Sequence, residues 1–229
     1  MHFRLLISKT KNMGKRFNRK RGIKKQYSHI YIFAEGKKTE PIYFEIKKKE
    51  IEEAIRRKNI KIEINKGNYG GGYNTKSLID FALDFIKTEK IDLKKDECWV
   101  VFDKDDFNRN FNNAINKAEK NGLKVAYSNE AFELWFLLHF DPMESAIGRK
   151  DYNNKLTENY KKITGDKKYK YDKVKSVLPL VGLIKNKELC AIKNAKKLLT
   201  KFKEERSFLK KNPSTTVHIL VERLNKLNK

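Results

Sequence analysis

The chain has 229 residues and a formal net charge of +24, with 53 lysines and arginines against 29 acids. That length fits one substantial domain, or a core with a smaller unit appended, and it buries enough apolar surface to fold without disulfide staples. Cys98 and Cys190 form no CxxC pair, which argues against a zinc ribbon, and no apolar run is long enough for a membrane span.

Residues 1–26 read as a mobile basic arm. Residues 8–26 lack apolar periodicity and carry Lys15, Arg16, Arg19, Lys20 and Arg21, candidate contacts for a nucleic-acid backbone. The short apolar piece Phe3–Ile7 has no signal-peptide core or cleavage pattern, so the expectation is a soluble, cytoplasmic protein. A first strand is predicted over His29–Ala34. A helix follows with Pro41 in its first turn, where a missing N–H costs nothing, and its apolar spacing runs to about Lys58. Ile60–Ile64 alternates as a second strand. After the glycine-rich stretch 67–72, Asn74 or Thr75 can cap a helix carrying Leu78, Phe81, Ala82 and Phe85.

Glu97–Phe102 forms a third predicted strand, and a helix over about 106–121 ends at Asn121-Gly122, a C-cap signal. Val125–Tyr127 makes a short fourth strand, followed by an apolar helix over Ala131–Phe140. Strands alternating with helices through residue 140 predict an α/β fold with a parallel sheet and flanking helices over residues 27–144. Strand signals then fade. Residues 145–229 read as a basic, mainly helical region packed on that core, with helices over 153–164, 172–184, 188–206 and 214–228.

Charge follows the same division. Residues 1–34 hold 10 basic residues and no acid, residues 35–144 net −1, and residues 145–229 net +15. A near-neutral core between two basic flanks suits a polyanionic partner, since such flanks fix phosphates without reading sequence. The plainer reading is a lysine-rich composition whose side chains are simply solvated.

Within that core, two strands run into acids. Tyr31–Ala34 leads into Glu35-Gly36, and Trp99–Phe102 leads into Asp103-Lys104-Asp105-Asp106. A buried parallel strand reads as such an apolar run, and open α/β sheets place ligands at its carboxyl end. Glu35, Asp103 and Asp105 brought to one edge would offer the oxygen ligands that Mg²⁺ or Mn²⁺ prefer. Gly36 permits a tight turn and close approach of a phosphate. Lys38 and Lys104 fall within the two acidic motifs, where a lysine can hold a scissile phosphate or lie in solvent. N-capping by Asp105 or Asp106, and complementing of a helix dipole by Glu40, are the structural alternatives. Thr75-Lys76-Ser77 after the glycines fails the spacing of a phosphate-binding P-loop.

These blocks resemble the Toprim domain of topoisomerases, primases and some nucleases, with Glu35-Gly36 after one strand and Asp103-x-Asp105 after another. Glu35 to Glu40 is similar to the OLD-type nucleases, whose second acid follows the first after one residue fewer. The RloB-like family is more similar still. Its Ala/Cys-Glu-Gly-x-x-Thr-Glu-Pro-x-Tyr-Phe pattern is met at Ala34–Phe44, and its apolar strand into Asp-x-Asp at Trp99–Asp105. A third block spans Tyr127-Ser128-Asn129, Ala131–Trp135 and Leu138-His139-Phe140, and Asn212–Thr215 supplies a late Asn-Pro-Ser-Thr. Glu130 departs from the pattern, in which proline is commoner.

The resemblance covers about 28–225. It implies a Rossmann-like (Toprim-like) sheet, one or two Mg²⁺ or Mn²⁺ ions on Glu35, Asp103 and Asp105 with Glu40 or Glu133 as further ligands, and a role in anti-phage defence beside restriction-modification loci. A partner protein of the defence system and a nucleic-acid substrate, DNA or RNA, go with that setting. Metal-dependent phosphodiester hydrolysis is the reaction expected first. A non-catalytic nucleic-acid or phage sensor, and a nucleotidyl or phosphoryl transferase, are the alternatives.

Read on its own residues, the third block places Glu133 in an apolar helix, where a buried carboxylate must meet a metal, a cation or several donors. Ser128 and Asn129 end a strand and either orient a ligand or cap the next helix. His139, one turn beyond Trp135, is either a satisfied core histidine or a catalytic one.

Overall fold

The computed structural model describes residues 28–66, 75–104 and 110–229. The arm with Lys15, Arg16, Arg19, Lys20 and Arg21, the glycine-rich stretch, and Asp105 and Asp106 lie outside those residues. The chain begins with β1 (Ser28–Ala34), α1 (Thr39–Glu50), α2 (Glu52–Arg57) and β2 (Ile60–Lys66). It continues through α3 (Thr75–Thr88), β3 (Glu97–Asp103), α4 (Phe111–Lys120), β4 (Lys124–Asn129) and α5 (Glu133–Leu137). The remainder comprises α6 (Arg149–Thr164), α7 (Val177–Ile184), α8 (Glu188–Lys201), β5 (Ser214–Thr215) and α9 (Val217–Asn225).

The sheet runs β2-β1-β3-β4-β5, parallel from β1 to β4, with β5 antiparallel to β4. The expected α/β architecture is thus present. Side chains alternate across the strands and bury into two separate cores. Ile30, Ile32, Trp99 and Val101 join one cluster; Phe33, Cys98, Val100 and Phe102 join the other. The second is closed by α3 and α4, through Leu78, Ile79, Phe111 and Ile115. The first is closed by α1, α2 and α5 to α9, through Phe44, Ile55, Trp135, Leu156, Leu180, Ala195 and Leu220. The basic helical region therefore completes the layer that α1 begins. Among the described residues no helix is long and apolar enough to cross a membrane.

Right-handed crossovers account for these layers. From β1 the chain moves outward to β2, so α1 and α2 lie on one face. It then crosses back past β1 to β3 and on to β4, which places α3 and α4 on the other. The direction reverses between β1 and β3, and a crevice opens at their carboxyl ends.

Several elements differ from the pattern-based expectation. The helix expected to run to Lys58 breaks at Ile51 (φ −112°, ψ 10°), so that α1 and α2 each bury their own apolar residues around it. The apolar stretch 131–140 yields only five α-helical residues, because its ends tighten into i→i−3 bonds such as Leu134 N to Ala131 O and Phe140 N to Leu137 O. The helix expected from 214 starts at Val217. Before it, Ser214 and Thr215 form β5, whose Thr215 hydroxyl donates to the Tyr127 carbonyl at 3.0 Å. The helix expected from 172 starts at Val177, after a turn in which Asp172 accepts from Val174 and Lys175 N–H groups. The helix expected to reach 206 ends at Lys201.

Candidate active site

Glu35 follows β1 directly, and Asp103 is the last residue of β3. The register Ala34↔Val101 brings the two ends together. The Glu35 N–H donates to the Val101 carbonyl at 2.9 Å, and Glu35 Oε2 accepts from the Asp103 N–H at 3.2 Å. The reversal point of the sheet thus carries an acid on each neighbouring strand. A cleft of about 390 Å³ opens over them, lined by the acids Glu35, Glu40, Asp103 and Glu133 and by the bases Lys37, Lys38, Arg149 and Lys173.

Gly36 has a defined role in this arrangement. A Cβ there would sit 2.1 Å from Glu40 Oε2, so only glycine lets the carboxylate from the first turn of α1 fold back over the loop. Glu40 is buried as a result. Glu133, the first residue of α5, is 1 % exposed. Its Oε1 accepts from the Tyr171 hydroxyl at 3.2 Å and lies 3.6 Å from Lys173 Nζ. This gives the buried acid both a donor and a cation on one oxygen.

The opposite oxygen is different. Glu133 Oε2 and Asp103 Oδ1 are both buried and have no hydrogen-bond partner. Burial pushes the Asp103 carboxyl well above the ordinary carboxylate range; the charges of Glu40, Glu133 and Glu35 add to this, and Arg149 opposes it. Burial and the Glu133 charge likewise raise the Tyr171 hydroxyl, which therefore stays a donor. An all-oxygen donor set with orphaned, mutually repelling carboxylates fits a hard divalent cation. Among the described residues, however, no group of three or more His, Cys, Asp or Glu side chains is disposed to hold a metal ion as it stands. Asp105, the acid expected to complete the set, lies outside the described residues.

Other residues singled out in the sequence have structural partners. The Ser128 hydroxyl is paired with Thr215 Oγ1 at 3.0 Å. Asn129 Nδ2 donates to the carbonyls of Phe208, Leu209 and Lys211, clamping a turn of the C-terminal region onto the sheet. His139 Nδ1 lies 2.9 Å from the Trp135 carbonyl, and burial lowers its pKa to about 4. None of these three lines the cleft. Lys104 is paired with Glu130, which also accepts from Asn212 Nδ2 at 2.8 Å. Lys38 does line the cleft, at the N-terminus of α1.

Sequence reasoning missed Arg149, Tyr171 and Lys173. They come from the region after residue 145, whose many bases give no single one prominence. A tyrosine and a lysine two residues apart in a polar stretch carry no periodic signal. Only the packing of that region against α1 reveals them.

A family model described as RloB-like protein matches residues 30–224. No curated protein and no solved structure matches the chain.

Proposed function

The chain belongs to the RloB-like protein family, and from the chemistry of its cleft we propose that it is a metal-dependent nuclease acting in anti-phage defence. The observation that carries this reading is the pair of buried, partnerless carboxylate oxygens, Asp103 Oδ1 and Glu133 Oε2, in a cleft that also holds Glu35 and Glu40. Such a group is costly to a protein unless a cation occupies it. Glu35 and Asp103, with Asp105 from the same motif, would hold Mg²⁺ or Mn²⁺, and Glu40 and Glu133 would complete the oxygen set. An ion bound there supplies Lewis acidity toward a phosphate oxygen and lowers the pKa of water.

The remaining work falls to the chain itself. Gly36 keeps the approach to Glu40 open. Tyr171 fixes the Glu133 carboxylate by one oxygen and leaves the other directed to chemistry. Lys38, at the positive end of α1, attracts a phosphate group. Nucleic acid is the substrate class favoured by the basic flanks, which attract polyanions while the near-neutral core carries the acids.

The test is a panel of single- and double-stranded DNA and RNA, incubated with Mg²⁺, Mn²⁺ or EDTA. Cleavage that requires the divalent ion is expected, and Glu35→Gln should lose it while remaining folded. Tight binding without cleavage of any polymer would replace this reading with the sensor. Transfer of a labelled nucleotide would replace it with the transferase.

A further inference from the structure

Ile60-Lys61-Ile62-Glu63-Ile64, the body of β2, becomes Ile-Glu-Ile-Lys-Ile when read backwards, so each charge meets its opposite. β2 is also the terminal strand of the sheet. It pairs with β1, and among the described residues no strand lies along its other side. Such an edge displays a row of backbone donors and acceptors that a further strand can take up.

The phase of the ladder says which groups face outward. The bond from the Glu35 N–H to the Val101 carbonyl, in the register Ala34↔Val101, turns the odd-numbered residues of β1 toward β3. The even-numbered residues of β1 therefore serve β2. With Ile30 opposite Ile62, they are met by backbone groups of Lys61, Glu63 and Asn65. Ile60, Ile62 and Ile64 direct their own N–H and C=O groups to the outer edge. Their side chains join the core on the α1 and α2 face, where Ile62 is buried and Ile60 and Ile64 only half-buried. Lys61 and Glu63 point to the opposite face, with side chains 54 % and 37 % exposed.

A two-fold axis at Ile62 brings these facts together. An antiparallel copy centred there sets Ile62 against the partner's Ile62 and Ile60 against the partner's Ile64. These are the residues whose backbone groups face outward, so they form the hydrogen-bonded pairs. Lys61 falls opposite the partner's Glu63, and Glu63 opposite the partner's Lys61, in the closer pairs between them. Centring the axis on Lys61 or Glu63 would instead set like charges opposite each other. The plain alternative is a protective edge, whose charges keep other strands away while Lys61 and Glu63 pair only with each other at 3.5 Å. Protection against a second copy calls for charges that repel it, and this edge carries charges that match it. The contact within the strand is exposed and of little worth. A second copy extends it into an alternating cluster of four charges without breaking it.

We propose that β2 is a homodimer interface, pairing antiparallel with β2 of a second copy about a two-fold axis at Ile62 to form one continuous sheet. The contact is isologous and closes on itself, which satisfies the edge without building a fibre. No residue of β2 lines the acidic cleft, so the dimer leaves it open, and the inference is independent of the nuclease reading.

The experiment is sedimentation of the full chain, freed of nucleic acid, over a wide range of protein concentration. The parent should show a reversible monomer–dimer equilibrium. Lys61→Glu and Glu63→Lys should each weaken the dimer at least ~tenfold, because both attractive pairs become repulsive. An equimolar mixture of the two variants should recover parent-like affinity as a heterodimer, and the double exchange Lys61→Glu with Glu63→Lys should recover it as a homodimer. Recovery in the mixture excludes misfolding as the cause of the loss. A parent that stays monomeric at every concentration would overturn the interface. A dimer that the single variants leave unchanged would place the contact on another surface, and a mixture that fails to recover would overturn the antiparallel register.

Discussion

Strand β3 begins and ends with an acid, and the two ends have opposite fates. At its start, Glu97 is met by Arg223 Nε at 2.6 Å, Lys124 Nζ at 2.7 Å and Trp99 Nε1 at 3.2 Å. Burial works against its charge, but Lys124 and Arg223 outweigh it and hold the carboxyl below its ordinary range. At its end, Asp103 has an oxygen with no partner, three acids for neighbours and a carboxyl held well above that range. Five residues of one strand thus separate a carboxylate that ties α9 to the sheet from one with a buried oxygen that nothing in the described residues serves. On the proposed reading, the partnerless Asp103 oxygen is where a cation would bind, while Glu97 serves the fold alone.

The sharpest way to break the contrast is Asp103→Asn. The amide keeps the shape and removes the charge. Cleavage should fall at least ~100-fold, since even indirect partners of a metal ligand are worth about 10–100-fold. In the metal-free protein the same change should raise the melting temperature. A carboxyl whose folded pKa is raised contributes its stability below the ordinary carboxylate range and loses it as pH rises toward the folded value. The gain from asparagine should therefore be absent near pH 4 and grow toward neutrality. Thermal melts in EDTA across that window check it. A variant less stable than its parent at pH 7 would mean that Asp103 is satisfied and is not poised for a cation.

Glu97→Gln makes the opposite experiment. It should leave cleavage within twofold of the parent and cost about 1–2 kcal/mol at pH 7, a partly exposed charge-assisted network being worth less than a buried one. The sign of its pH dependence is reversed. A depressed carboxyl contributes stability above its ordinary pKa and loses it as pH falls through the folded value, so parent and variant should converge in acid. Denaturant melts at pH 7 and pH 3 read the difference. A loss of cleavage with intact folding would show that the two ends of β3 are coupled.

The contrast also separates what was legible in the sequence from what was not. Asp103 and Glu35 stood out because an apolar strand cannot run into an acid without a reason, and local pattern alone placed both at one sheet edge. Glu97 did not stand out: a strand that starts with an acid reads as a surface terminus, and its partner Arg223 lies 126 positions away. Arg149 and Lys173 were hidden for the same reason, since contacts between distant segments leave no local period. Ser128, Asn129 and His139 were visible as polar residues in an apolar block, yet sequence could not assign their partners, which proved to be a hydroxyl and backbone carbonyls. The breaks at Ile51 and around α5 escaped periodicity because they depend on which side chains the sheet can accept.

Glu133 lies between the two extremes, and the smallest prediction concerns it. One of its oxygens is served by Tyr171 and approached by Lys173, as Glu97 is served by its own bases; the other is orphaned, as in Asp103. Glu133→Gln can keep the Tyr171 hydroxyl bond through its amide oxygen and removes one of the charges that hold Asp103 from ionising. Two effects follow with opposite signs. Losing a carboxylate from the donor set should weaken divalent-ion binding about fivefold, or about 1 kcal/mol. Losing a repulsion should ease ionisation of Asp103 and raise the metal-free melting temperature by less than Asp103→Asn does. Calorimetric titration with Mn²⁺ and melts in EDTA, on the same preparation, measure both. Unchanged Mn²⁺ affinity would confine Glu133 to fixing the turn at Tyr171, and a fall in metal-free stability would place it with Glu97 as a satisfied structural acid.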